Sequence, residues 1–449
     1  MVAKDPKVVI IGGGFAGLWA AKALRNKKVD IALIDRKNHH TFQPLLYQVA
    51  TAVLSPGEVA SPIRRILNNS KNTEVILGEV SGFDKEDHKV ILEDGSGVGF
   101  DYLIVAAGAR HSYFGHDEWE AAAPGLKTVE YAVEIRRRVL LAFEIAERQA
   151  YLTGAHDPVS FVVVGGGPTG VEMAGAIADI ARQALARDFM AIDTRKASVK
   201  LFEGSPRVLG TFADDLSASA KRQLEELGVE VHLNSFVTDI KPGKVKVGEE
   251  WVPCDVVVWA TGVAASPLGK VLGMGTDKAG RVFVEPDLSL PGFKNIFVIG
   301  DMASLKQANG EPVPGLAPAA MQMGDHVAEN ILRDMDSKER RPFRYVDKGT
   351  MATIGRSRAI ADLRGWHFSG LIAWMMWLFL HVVLLIGFRN RFAVLFEWFW
   401  AYLTRERSAR LITGDAEELR NAIHFIAGES AASVLDRAAA KKVSAATKP

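Results

Sequence analysis

Two glycine-rich turns set the limits on what this chain can fold into. Gly12-Gly13-Gly14-Phe15-Ala16-Gly17 follows the β-branched run Lys7-Val8-Val9-Ile10-Ile11, and Gly165-Gly166-Gly167-Pro168-Thr169-Gly170 follows Phe161-Val162-Val163-Val164. Each turn sits between a strand-like run and a helical pattern, which is the order of a β-α-β unit that binds a dinucleotide. A chain that holds two dinucleotides is expected to pass electrons between them. The fold class follows: α/β, with two Rossmann-like dinucleotide-binding domains and a C-terminal helical region read below as a membrane attachment.

In the first unit Gly12 permits the tight turn, Gly14 lets backbone approach a pyrophosphate, and Gly17 allows close helix-to-strand packing. Phe15 and Ala16 open the helix whose N-terminus faces the phosphates. The next strand, from Asp30, ends at Asp35, placed to accept ribose hydroxyls. In the second unit Gly165, Gly167 and Gly170 repeat these roles, with Pro168 and Thr169 opening a helix expected to run to about Arg187. Glu203 is the acid at the end of the following strand. It repels a 2′-phosphate and so favours NADH over NADPH, although the spacing from Gly170 is long and Arg207 lies nearby. Two further strands end alike, in Ala106-Ala107-Gly108 and Ala260-Thr261-Gly262, so Ala107, Gly108, Thr261 and Gly262 are expected beside the bound nucleotides. Gly300-Asp301 closes a buried strand with no counterpart in the first round, and its Asp is placed to bind the ribityl hydroxyls of a flavin. Glu172, just after the second turn, has two readings: a carboxylate favoured by the helix dipole, or a group facing the junction of nicotinamide and flavin.

The 449 residues suffice for two or three domains, and the formal net charge of +1 gives no case for a nucleic-acid partner. The charge is uneven, however. From Arg340 to Arg410 twelve basic side chains face four acidic ones, in the most aromatic part of the chain. That combination suits an anionic membrane surface. Cys254 is the only cysteine, so neither an intramolecular disulfide nor a dithiol relay can form. Lys4 and Asp5 lead at once into the first strand, which predicts no signal peptide and a protein on the cytosolic face. No metal-ligand pattern stands out.

From Leu371 to Phe388 the only conventionally polar side chain is His381. Such a run reads as a buried core helix, a single transmembrane span, or helices lying in the interface. Flanking Arg364, Arg389 and Arg391, with Trp366, Trp398 and Trp400, form basic and aromatic girdles. An in-plane hairpin turning at Gly387 to Arg391 keeps both aromatic stretches at one interface and is preferred. The membrane contact is assigned to residues 366–403. His367 and His381 have haem-ligand spacing, but one helix cannot build a haem pocket.

With these motifs the chain resembles a type II NADH:quinone oxidoreductase, the single-subunit NADH dehydrogenase that does not pump protons. The most specific stretches are Phe42-Gln43-Pro44-Leu45-Leu46-Tyr47-Gln48-Val49-Ala50, Gly166 to Glu172, Val298-Ile299-Gly300-Asp301 and Ile386 to Arg391. The resemblance implies FAD on the first fold, with Pro44 beside it, and NADH on the second. It implies a quinone acceptor contacting Pro44, Leu45, Gln48, Ala319 and Gln322, with Glu172 and Gln322 as the catalytic pair. Gln322 matches the second glutamine of the family's quinone motif, but Pro318 stands where the first belongs. The resemblance further implies a homodimer attached at the cytoplasmic face of the inner membrane. The corresponding domains are 1–117 and 289–340 for FAD, 118–288 for NADH, 341–414 for the membrane, and a helical or frayed tail over 415–449. Disulfide reductases carry a cysteine pair near the flavin, and none exists here. A soluble ferredoxin or rubredoxin reductase would have no use for the apolar segment, and a slow, non-catalytic NADH-binding flavoprotein would not turn over with quinone.

Overall fold

The computed structural model describes residues 5–307, 310–404, 407 and 409–426, apart from the side chain of Phe388. By internal contacts the chain forms two compact units. The first comprises residues 1–41, 60–112 and 263–348, the second 42–59, 113–262 and 349–449. The second nucleotide domain predicted over 118–288 therefore ends earlier, because the chain is back in the first unit at Val263, where Val263–Ala265 pairs antiparallel with Ala109–His111.

The first unit is built on a six-stranded sheet in which Lys7–Ile11 lies between Asp30–Asp35 and Tyr102–Val105, with Phe293–Val298 beyond the latter. Ile10 sits opposite Leu33 on one side and Ile104 on the other, all parallel. Strands covered on both faces read as unbroken apolar runs, and Val8, Val9 and Ile10 are wholly buried. Because neighbouring strands lie on either side of Lys7–Ile11, its carboxyl end is a topological switch point, where open α/β sheets bind ligands. Helix Phe15–Ala23 starts there and packs against helix Ala317–Met335. The approach needs a glycine: a Cβ on Gly324 would stand 2.4 Å from the Ala16 carbonyl oxygen.

The second unit repeats the plan with four parallel strands. Ser160–Val164 lies between Ser198–Phe202 and Val256–Trp259, with Val163 opposite Leu201 and Val258. Helix Pro168–Asp179 leaves the second glycine turn and passes into a π-helical stretch, Ile180–Ala184, instead of running regularly to Arg187. The Ala- and Arg-rich region is helix Val129–Thr153, opened by the Thr128 hydroxyl and ended by Gly154 at φ 76°.

The C-terminal region begins not with a helix but with an antiparallel meander, Thr350–Gly355, Arg358–Leu363 and Trp366–Ser369. The apolar run then divides into helices Gly370–Leu384 and Phe388–Thr404. The break falls at Leu385–Gly387, sharing Gly387 with the expected Gly387-to-Arg391 turn, and Arg391 already belongs to the second helix. Its guanidinium donates to the carbonyls of Leu385 and Val383, both at 2.7 Å, closing the end of the first helix. Among the described residues no helix is long and apolar enough to cross a membrane. Residues 416–426 are helical, and the rest of the expected tail lies outside the described residues.

Candidate functional site

The two glycine turns superimpose residue for residue in their physical logic. A Cβ on Gly12 would lie 2.3 Å from the Ala106 carbonyl oxygen, and one on Gly165 2.8 Å from Thr261 Cβ. On Gly17 and Gly170 it would lie 1.9 and 1.8 Å from the carbonyl oxygens of Gly12 and Gly165. Those four positions are glycine because of packing. Gly14 and Gly167 are different: a Cβ on either would meet nothing within 4 Å. Both are N-caps with no side-chain cap, φ −74° and −72°, and neither helix has an acid in its first turn. The free helix N–H groups and the open approach fit the pyrophosphate of a dinucleotide at each turn.

The acids predicted for ribose lie at these turns. Asp35 Oδ2 accepts from the Gly13 amide at 2.6 Å and Oδ1 from that of Lys37 at 2.7 Å. Glu203 accepts from the Gly166 amide and, at 2.7 Å, from that of Ser205. Arg207 is drawn away, ion-paired with Asp214 and donating to Gly210 O at 2.9 Å. Phe15 and Ala16 occupy the first turn of their helix, Pro168 and Thr169 that of theirs. Gly108 has φ 68° and its carbonyl accepts from Ser266 N at 2.9 Å, just after Ala107. Gly262 has φ 77° beside Thr261. Gly300, at φ 67°, brings Asp301 to the start of helix Phe15–Ala23, since a Cβ there would touch that of Ala16 at 3.2 Å. These first-unit residues fit FAD, and the second-unit set fits NADH.

Residue reading missed His40. Its ring stands edge-on to Phe15 at 4.9 Å, Nδ1 is 3.0 Å from Gly13 O, and Nε2 is buried without a hydrogen-bond partner. Burial pushes its pKa down to about 4, so the neutral ring donates from Nδ1 to Gly13 and leaves Nε2 an acceptor beside the turn. Its place three residues beyond the ribose acid's following turn carries no periodic or motif pattern.

A second cavity lies wholly inside the second unit. Its wall draws on Tyr47 and Gln48, Glu172 and Asp179, Thr353, Trp377, Trp398 and Arg407. Gln48, 6% exposed, links two aromatic residues: it accepts from Trp398 Nε1 at 2.7 Å and donates to the Tyr47 hydroxyl at 2.8 Å. Glu172 faces the cavity from helix Pro168–Asp179. Burial pushes its pKa up to about 8, opposed weakly by a hydrogen bond from the Thr353 backbone, so the carboxyl is mostly protonated at neutral pH. Burial also raises Asp179, against the pull of Arg407. Arg407 is pushed down to about 10, still a cation, and donates to Thr51 O at 2.6 Å. The floor requires Gly175, whose Cβ would stand 1.6 Å from the Ile354 carbonyl oxygen.

Of the predicted quinone residues, Gln48 lines this cavity and the others do not. Leu45 is fully buried, Pro44 belongs to the short 3-10 turn Gln43–Leu45, and Ala319 is buried in the first unit. Gln322 has both ends of its amide on one backbone unit, donating to Val346 O at 3.0 Å and accepting from Val346 N at 2.9 Å. The two histidines with haem-like spacing have protein partners, His381 on Trp377 O at 2.7 Å and His367 on Asp215 at 2.9 Å.

The pyridine nucleotide-disulphide oxidoreductase family matches residues 6–324, and the NDH2 C-terminal domain matches 348–406. Two proteins of Mycobacterium tuberculosis are similar over most of their length. The type II NADH:quinone oxidoreductase NdhA is 45% identical, with 91% of this chain and 89% of that one covered. The type II NADH:quinone oxidoreductase Ndh is 43% identical, with 97% and 96% covered. The structure of NDH2 from Plasmodium falciparum in complex with NADH shares the fold at a TM-score of 0.80 and 20% identity, covering 91% of this chain and all of the other. Two cofactor turns, a separate aromatic cavity and these matches together place the chain: it belongs to the type II NADH:quinone oxidoreductases.

Proposed function

We propose that this oxidoreductase, which carries electrons from NADH through FAD to a quinone without pumping protons, receives the quinone ring in the aromatic cavity of the second unit. The observation that carries the reading is the buried Glu172 carboxyl facing a slot walled by Tyr47, Gln48, Trp377 and Trp398. Flat aromatic walls suit a planar ring, and a buried acid with a pKa near the working pH suits proton delivery.

Bound FAD supplies the two-electron chemistry, and the protein supplies binding, orientation and protons. In the first unit Gly12, Gly14 and Gly17, with Asp35, Gly300 and Asp301, hold that cofactor, flanked by Phe15, Ala16, Ala107 and Gly108. In the second unit Gly165, Gly167, Gly170 and Glu203, with Pro168, Thr169, Thr261 and Gly262, hold NADH. Net reduction of a quinone to a quinol by NADH takes up one proton beyond the hydride, and Glu172 is suited to give it at neutral pH and regain it. Gln48, bonded to Trp398 and Tyr47, holds those two rings as walls that receive the quinone. Gln322, with its amide committed to Val346, is proposed to hold the 346 segment in place, while Pro44 and Leu45 set the turn that delivers Tyr47 and Gln48.

Membrane attachment is part of the proposal. Helices Gly370–Leu384 and Phe388–Thr404 give Trp377 and Trp398 to the cavity, yet expose Ile372, Met375, Phe379, Phe392, Phe396 and Phe399. A contiguous apolar surface of this kind marks a partner, and a lipid leaflet with these helices lying in its plane would let quinone enter the cavity from the hydrocarbon. A homodimer at the cytoplasmic face of the inner membrane rests on the family resemblance, and sedimentation of the detergent-solubilised protein tests the dimer. The test of the quinone reading is Gln48→Leu: the quinone KM should rise several-fold with ferricyanide reduction by NADH unchanged. Equal loss of both activities would sink it.

A further inference from the structure

A polar recess on the second unit, separate from the quinone cavity, is lined by Arg222, Gln223, Glu226, Arg356, Arg358 and Ser369 among others. Three guanidinium groups thus face one carboxylate. Arg358 is ion-paired with Glu226. Arg356 donates to Tyr402 O and lies 4.2 Å over the Tyr402 ring. Arg222 is exposed and makes no ion pair among the described residues. The recess therefore keeps a surplus of positive charge.

Its floor is a polar cluster. Gln223 is 8% exposed, and its Nε2 lies 3.2 Å from Ser219 Oγ and 3.3 Å from Ser369 Oγ, themselves 2.7 Å apart. Its Oε1 is buried with no hydrogen-bond partner. Ser369 is also the N-cap of helix Gly370–Leu384, with no side-chain cap, and adds the positive end of that helix. The sides of the recess continue into apolar surface: Leu371 and Ile372 follow it immediately, and Tyr402 is half exposed. A ligand matching this has an anionic phosphate with hydrocarbon attached.

We propose that this recess is a headgroup site for an anionic phospholipid, with the phosphate on Arg222, Arg356 and Arg358. The acyl chains lie along the exposed side of helix Gly370–Leu384. The inference rests on the membrane reading above but adds a discrete site to it.

The test uses the full-length protein and two vesicle types, phosphatidylcholine alone and phosphatidylcholine with phosphatidylglycerol. Wild type, Arg222→Ala, Arg358→Gln and Arg148→Ala are compared by co-sedimentation. Arg148→Ala removes one exposed cation of helix Val129–Thr153 outside the recess. One cation near an anionic surface is worth on the order of 1 kcal/mol, or about fivefold. Wild type should prefer the phosphatidylglycerol vesicles by more than that. Arg222→Ala and Arg358→Gln should each lose at least about fivefold of the preference, and Arg148→Ala less than about twofold. Binding of every variant to phosphatidylcholine should persist through the apolar helices, which also reports that the variants are folded. Equal loss in all three variants would reduce the effect to diffuse charge and overturn the site. Protection of lipid-free protein against heat by inorganic phosphate as strong as by glycerol 3-phosphate, without preference between vesicles, would assign a free-anion site and overturn the lipid. Failure to bind either vesicle would overturn the membrane reading along with it.

Discussion

Replacing Glu172 by Gln removes the titrating proton while keeping the size of the side chain. Burial sets the Glu172 pKa at about 8 against an ordinary 4.5. The carboxyl is therefore about 90% protonated at pH 7 and about 10% at pH 9. If the protonated form serves quinone reduction, kcat with a short-chain quinone should fall about tenfold between those values. Glu172→Gln should be slower at pH 7 and flat over the same interval. Ferricyanide takes electrons without protons, so NADH oxidation with that acceptor should lack the limb in both proteins. A wild-type profile that is flat to pH 9, or a limb that survives in Glu172→Gln, would refute the reasoning. Stability supplies an independent check. Because the folded pKa is raised, the folded chain holds this proton more tightly than the unfolded one. The resulting stability is complete below pH 4.5 and is lost as pH rises through 8. It amounts to at most about 5 kcal/mol. The melting temperature of wild type should fall across that window more than that of Glu172→Gln.

Gly14→Ala should fold but purify with little FAD, whereas Gly17→Ala, with its Cβ 1.9 Å from a carbonyl oxygen, should fail to fold or melt far lower; flavin absorbance and circular dichroism separate them. Gly167→Ala should likewise raise the NADH KM at least tenfold and leave the flavin content alone. Glu203→Ala should weaken NADH and narrow its advantage over NADPH, measured as the ratio of kcat/KM values. Gly175→Ala should destabilise the protein by about 2 kcal/mol or more, because its Cβ would overlap the Ile354 carbonyl; an unchanged melting temperature would contradict the packing described for the cavity floor.

Much of the framework was legible along the chain because its determinants are local. A β-branched run, a glycine turn and a terminal acid lie within one β-α-β unit, so Gly12 to Asp35 and Gly165 to Glu203 announce themselves. The run from Leu371 announces an apolar surface in the same way. The meander Thr350 to Ser369, just before that run, is hard to read because its first two strands each bury three residues in succession, without alternation, beside a far stronger hydropathy pattern. The helix break comes earlier than hydropathy suggests because a side-chain contact sets it: Arg391 reaches back to the carbonyls of Val383 and Leu385.

What residue order alone determined is thus the pair of nucleotide folds, the absence of a dithiol and the presence of an amphiphilic C-terminal region. Tertiary structure decided which residues share the second cavity, joining Gln48 and Glu172, both named from the sequence, to partners that it did not suggest. Gln48, Glu172, Thr353, Trp398 and Arg407 come from segments far apart in the chain, and no periodicity links them. Glu172 illustrates the difference most directly. As a residue in a sequence it is an ordinary carboxylate near a helix start; enclosed by the fold it becomes an acid. Desolvation depends on everything packed around a group, and that is a property of the folded surroundings that no neighbouring residue in the chain can encode.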